Sequence, residues 1–265
     1  AKDADTCFNI MIGCNAGLAL CGGYGHSIFM GCHAGKSVTT GGYNFLFGQR
    51  TGCNITTGQQ NIMMGNGNGR TITTGSCNIF FGKSIAGGGT GEHDNNIVMG
   101  AEAAYRLDTG DDNIILGGQA GCDVSSGNRN IFLGKEAAAN LTTGSDNISL
   151  GHCVMGGDIV TGCDNIFLGK YSGKNTTSAC LNIAIGCNAS RCMETGASNV
   201  TVGVNAGGVT GSGVSGNCNV AIGKEALQQL TGGHCNVALG MKAGGGGAPG
   251  SRSIAIGTCA GWCGI

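Results

Sequence analysis

The sequence predicts an all-β fold, a β-solenoid (β-roll) of about fifteen coils of 17–18 residues each. Three observations carry that expectation. A glycine preceded by apolar residues in alternation recurs from end to end, and self-similarity at a fixed short period is the signature of a repeat architecture. The positions one and three residues before that glycine are apolar in every repeat, which is the period-two signature of a strand. Asn stands four residues before it in thirteen of fifteen repeats, and Gly seven before it in eleven.

The anchoring glycines are Gly13, Gly31, Gly48, Gly65, Gly82, Gly100, Gly117, Gly134, Gly151, Gly169, Gly186, Gly203, Gly223, Gly240 and Gly257. Ten of the intervals are 17 residues, three are 18, and the one before Gly223 is 20. The pattern runs unbroken, so residues 1–265 read as one continuous solenoid, with soft points near 207–216 and 244–250.

Within a repeat the elements follow in order. Thr-Gly or Ser-Gly opens the unit, as in Thr57-Gly58 and Thr143-Gly144, and supplies turn chemistry because Gly accepts backbone angles that strain other residues. The strand follows, as in Ile10 and Ile12 or Ile166 and Leu168. Small residues come after the anchor (Ala34-Gly35, Ala120-Gly121), and seven beyond it an apolar residue often recurs, as in Val38, Ile55, Ile72, Leu107 and Leu141. Each coil therefore offers two inward arcs. One coil cannot bury its own apolar face, but stacking pairs every strand with its equivalents at about 4.8 Å.

On this reading the residues one and three before the anchor form the core pair, and the residue between them points outward. That middle residue is large and apolar in most early coils: Met11, Phe29, Leu46, Met63, Phe80, Val98, Ile115, Phe132 and Phe167, with Ser149 interrupting. In the last five it is Ala184, Thr201, Ala221, Ala238 and Ala255. An exposed strip of this kind marks an association surface. The nine large residues are the expected lateral interface, against the alternative of a strand buried on both faces.

The Asn residues Asn9, Asn44, Asn61, Asn78, Asn96, Asn113, Asn130, Asn147, Asn165, Asn182, Asn199, Asn219 and Asn236 are expected to stack into an amide ladder along the axis. The Thr-Thr pairs at Thr39, Thr56, Thr73 and Thr142 read as turn formers before they read as an ice-binding face.

Sixteen cysteines exceed ordinary cytosolic usage. Equal registers in adjacent coils put Cα atoms within disulfide range, which selects Cys14 with Cys32, Cys163 with Cys180, and Cys218 with Cys235. Cys7, Cys21, Cys259, Trp262 and Cys263 cluster toward the ends of the chain and are candidate end-to-end contacts. Cys32-His33, His152-Cys153 and His234-Cys235 place soft ligands side by side, but no paired Cys-x-x-Cys appears, so no metal site or other cofactor is expected.

Composition excludes several classes. Glycine fills 55 positions and proline one, which rules out collagen. A formal net charge of −1 gives no reason to expect nucleic acid. No apolar run is long enough for a membrane span, and the chain starts at Ala1 without a basic, apolar leader, which implies a removed leader or a fragment. Gly65 to Arg70 superficially matches a phosphate loop but lies in register with the repeat. Asn-x-Ser/Thr sequons such as that at Asn54 arise from the repeat's own composition. No catalytic grouping stands out, and an enzyme is not expected.

The phrases Asn182-Ile183-Ala184-Ile185-Gly186, Asn219-Val220-Ala221-Ile222-Gly223 and Ser253-Ile254-Ala255-Ile256-Gly257 resemble repeats of bacteriophage tail fibres and related virion fibres. They are also similar to the β-roll heads of trimeric autotransporter adhesins. The resemblance implies a trimeric shaft or adhesive surface. The expected function is a structural building block of an extracellular, cell-surface or virion fibre, with copies of the same chain as partners in a homo-oligomer or polymer. The alternative is an adhesin or tail fibre that binds a host receptor or glycan.

Overall fold

In a computed structural model, residues 8–21, 25–89, 91–157, 160–208, 215–246 and 250–261 are described. They form a β-solenoid without helices, in which each coil contributes one three-residue strand. The parts of the expected soft points at 209–214 and 247–249 lie outside the described residues.

The chain divides into two compact units, Ala1–Asn130 and Ile131–Ile265. The first carries β1 (Ile10–Ile12), β2 (Ile28–Met30), β3 (Phe45–Phe47), β4 (Ile62–Met64), β5 (Ile79–Phe81), β6 (Ile97–Met99) and β7 (Ile114–Leu116). The second carries β8 (Ile131–Leu133), β9 (Ile148–Leu150), β10 (Ile166–Leu168), β11 (Ile183–Ile185), β12 (Val200–Val202), β13 (Val220–Ile222), β14 (Val237–Leu239) and β15 (Ile254–Ile256).

Inside each unit successive strands pair in parallel with equivalent residues opposite one another. Ile62, Met63 and Met64 face Ile79, Phe80 and Phe81, and Ile166, Phe167 and Leu168 face Ile183, Ala184 and Ile185. The Ile62 N–H donates to Asn78 O at 2.8 Å and the Gly65 N–H to Phe47 O at 2.8 Å. Because the partner of each residue is its own equivalent one coil away, the register is locked by the repeat length.

Three strand residues in a 17-residue coil leave the rest to corners, and positive φ makes those corners. In one coil Asp164 (φ 56), Gly169 (φ 126), Tyr171 (φ 61) and Gly173 (φ 57) all adopt it. The anchor is glycine for two reasons at once: at Gly48 φ is +129, and an added Cβ would collide with the backbone of Gly65 in the next coil. The strand-opening glycine has only the second reason, since a Cβ on Gly41 would collide with the Gly58 carbonyl.

The core is a thin column inside the coils. It holds the middle residue of strands β2 to β14, the residue three beyond the anchor, most often Ala, and the apolar residue seven beyond it, including Phe80, Ala103, Ile55 and Leu107, all fully buried. This overturns the expected polarity of the strand. Phe29, Leu46, Met63, Phe80, Val98, Ile115, Phe132 and Phe167, expected as the lateral interface, are each 0% exposed and cannot touch another chain. Met11, in β1, is 40% exposed. The physical reason is parity. The buried Asn four before the anchor and the residue two before it lie on the same side of the strand, so burying one side chain buries the other.

The Asn residues run as a ladder through the core. The Asn61 backbone and side-chain amides both donate to Asn44 Oδ1, at 3.0 and 3.1 Å, and its Nδ2 also donates to Gly75 O at 2.9 Å. Asn61 Oδ1 in turn accepts both amides of Asn78. A second, outer ladder six before the anchor has no counterpart in the sequence reading. The Ser76 N–H donates to Asp94 Oδ1 at 2.6 Å, Asp94 N–H to Asp111 Oδ1 at 2.7 Å, and Asp111 N–H to Asn128 Oδ1 at 2.7 Å. The Thr39 and Thr56 hydroxyls donate to the Thr56 and Thr73 carbonyls, each at 3.1 Å, so these threonines hold turns together.

Candidate assembly surface

Moving the middle residue inward moves its two neighbours outward. In the first unit the outer face of the sheet consists of two columns of apolar side chains, Ile10 through Ile114 and Ile12 through Leu116, one residue from each strand per column. The second unit repeats the arrangement from Ile131 to Ile254 and from Leu133 to Ile256. No polar or charged residue interrupts either column.

Exposure along these columns is partial because each side chain is shielded by its equivalents above and below. Met64 is 44% exposed and Met99 41%, and Ile62 and Ile97 are also exposed. Fourteen such side chains in the first unit form one apolar strip, and contiguous exposed apolar surface of this kind marks an association site.

Charge lies elsewhere. The ion pairs Arg106–Asp123, Lys135–Glu136, Lys224–Glu225 and Lys242–Glu225 join corner residues. Two shallow polar hollows also open beside the corners of the first unit. One is lined by His33, Lys36, Ser37, Arg50, Cys53 and Asn54, the other by Arg50, Asn66, Arg70, Ser84 and Tyr105 among others.

All described cysteines are free thiols. Cys163 and Cys180 meet in neighbouring coils, with Sγ atoms 2.9 Å apart, and the Cys163 N–H donates to Cys180 Sγ at 3.1 Å. The hydrogen bond to Cys180 and burial push the Cys163 thiol up to about 12. Cys14, Cys218 and Cys235 are exposed and Cys32 is half-buried against His33, its Sγ 3.2 Å from Nδ1. Of the candidate end contacts, Cys21 and Cys259 are exposed, whereas Cys7, Trp262 and Cys263 lie outside the described residues. Burial pushes the thiols of Cys53, Cys122 and Cys192 up, which keeps them protonated and poorly nucleophilic.

No helix among the described residues is long and apolar enough to cross a membrane. Comparison with protein-family models, curated proteins and solved structures gives no match to this chain.

Proposed function

We propose that the chain is a structural building block of an extracellular or virion fibre, in which solenoids pack laterally through the outer face of their strands and end to end on the edges of terminal coils. The observation that carries this reading is the pair of uninterrupted apolar columns on that face. A soluble sheet normally alternates apolar-in and polar-out; here the outer side of every strand is apolar as well, and water is a poor neighbour for it. The occupant that fits is the same face of further copies. It repeats at the strand spacing and carries no charge to repel its own kind. Association confined to one face also leaves the polar corners free to solvate the assembly.

Electron microscopy of the purified protein tests the proposal: continuous filaments or bundled rods support it, and dispersed single solenoids contradict it.

The hollows that share Arg50 favour a second reading, in which the fibre also adheres to a surface. Lys36, Arg50 and Arg70 gather there, and Asn54, Asn66 and Ser84 add hydrogen-bonding groups. Such a row suits a carboxylated or sulfated glycan. Binding to an immobilised sulfated polysaccharide that is lost in Arg50→Ala/Arg70→Ala supports this reading; equal retention of the variant contradicts it.

A further inference from the structure

The solenoid period brings together groups that are far apart in sequence, and at one place it assembles three metal-ligating side chains. Glu136 and Cys153 each stand two residues beyond their anchors, Gly134 and Gly151, in adjacent coils. The Cys153 N–H donates to Lys135 O at 3.1 Å, and both residues hold positive φ, 56° and 51°, so their side chains leave the corner in the same direction. Cys153 Sγ lies 3.1 Å from Glu136 Oε2 and 3.5 Å from Nε2 of the adjacent His152. The three ligand atoms all fall within 4.8 Å of one another, and all three residues are half-buried. Among the described residues this is the one such group of three.

We propose that Glu136, His152 and Cys153 form a binding site for one zinc-class divalent ion, which bridges the two coils, with water completing the coordination.

The donor set decides the class of metal. Thiolate and imidazole select a borderline ion over calcium or magnesium, which take oxygen ligands. Three protein ligands and one open position form a recognised zinc arrangement. With bonds of about 2.0–2.3 Å, tetrahedral ligand atoms sit roughly 3.3–3.7 Å apart, close to the 3.1 and 3.5 Å that separate Cys153 Sγ from the Glu136 and His152 ligand atoms.

The metal-free site shows what the ion would replace. The Cys153 S–H donates to the Glu136 carboxylate, and burial and that hydrogen bond push the thiol up to about 11. The hydrogen bonds from Cys153 and Lys135 pull the Glu136 carboxyl down. A divalent ion takes the position of the shared proton: the S–H bond breaks, a metal–sulfur bond forms, and the proton leaves to solvent. Thiolate and carboxylate together then balance the two positive charges of the ion. Lys135, 3.1 Å from Glu136 Oε1, must release that oxygen or share it. Lys170 and Lys174, each with Nζ 4.9 Å from the Tyr171 ring centroid, add positive potential that favours thiolate but opposes the ion, so the site is one of moderate affinity. His152 is held edge-on by Tyr171, with ring centroids 5.8 Å apart, and its buried Nδ1 has no hydrogen-bond partner.

The adjacent thiol–imidazole pair at Cys32 and His33 lacks the third ligand. There the neighbouring coil offers Asn15, whose Nδ2 lies 3.1 Å from His33 Nε2, and a carboxamide nitrogen is not a ligand.

The test is a cobalt(II) titration of the reduced full chain, followed through the sulfur-to-cobalt charge-transfer band, with zinc as competitor. The proposal expects saturation at one equivalent, displacement by zinc, and proton release on binding. Cys153→Ser should abolish the band, and the isosteric Glu136→Gln should weaken binding at least roughly tenfold, whereas Cys32→Ser should leave it unchanged. Circular dichroism confirms that each variant keeps its fold, and Glu136→Gln carries the test if Cys153→Ser does not. A titration without a saturable band overturns the proposal, as does a band lost equally in Cys32→Ser or unaffected by Glu136→Gln.

Discussion

Ser149 and Met155 pack against each other in the core, with the serine Oγ 3.6 Å from the methionine Sδ. In this coil the usual order of large and small is reversed. In the other coils from β1 to β10 the strand-middle residue is large and its partner six residues on is small: a Cβ on Gly173 would press into the Phe167 ring, and one on Gly52 into the Leu46 side chain. Where the strand residue shrinks to Ala221, the partner grows to Leu227. In these coils the two side chains share one volume, and close packing lets one grow only where the other shrinks.

The pair therefore predicts a compensation. Ser149→Phe alone overfills the coil, and Met155→Gly alone empties it; each should cost about 2–4 kcal/mol. The double variant restores the order found at Phe167 and Gly173 and should recover most of that loss. Chemical denaturation of the four proteins gives the coupling energy, and simple additivity would refute the shared volume.

The Asn ladder makes a graded prediction. Asn61→Ala removes the acceptor of the Asn78 backbone N–H and the side-chain donor to the Gly75 carbonyl inside the core, at about 1–3 kcal/mol for each unpaired group, while the Asn78 side-chain amide keeps the His93 and Ser76 carbonyls. Asn61→Ser should cost less, since Ser27 holds this position naturally and its Oγ accepts from the Asn44 N–H at 3.1 Å. Thermal melts should rank wild type above serine above alanine.

Leu181 is 60% exposed and has φ of 62°, a conformation that costs a residue other than Gly or Asn roughly 1 kcal/mol. Leu181→Asn should raise the melting temperature. A lowered one would show that the leucine side chain makes a contribution greater than the strain.

His93 occupies the register that glycine holds in most coils. It is buried, with Nδ1 3.4 Å from Asn78 Oδ1 and Nε2 unpaired. Burial pulls its pKa from 6.5 down to about 4, against the opposing pull of the Asp94 and Asp108 carboxylates. Between those two values the unfolded chain binds a proton that the folded chain refuses, so stability is full above about pH 6.5 and falls as pH drops toward 4. The loss should total roughly 3 kcal/mol. His93→Gln should flatten this part of the stability profile, and an unchanged slope would assign it to other groups.

The repeat, the strands and the Asn register were legible because each recurs at one period, and the stacking follows from that period alone. The facing of the strand was misread because all three of its residues are apolar, so alternation could not say which side was wet. The signal that decides it was present: Asn at four before the anchor shares parity with the middle residue, and an amide ladder needs a dry interior to be worth its place. The Glu136 and Cys153 pairing was hidden for a different reason. Metal motifs are usually sought at short spacing, and here the solenoid brings together residues 17 positions apart.

The central claim is that the two outer columns are an interface between copies of the chain. Sedimentation velocity on wild type and on Met64→Lys/Met99→Lys tests it most directly. Both methionines are exposed, and a lysine stem can keep its packing while placing its charge on the face, so the fold should survive. The account predicts multi-chain species for wild type and a single-chain species for the variant, with unchanged circular dichroism. A wild type that sediments as one chain at micromolar concentration, or a variant that associates as wild type does, would contradict it.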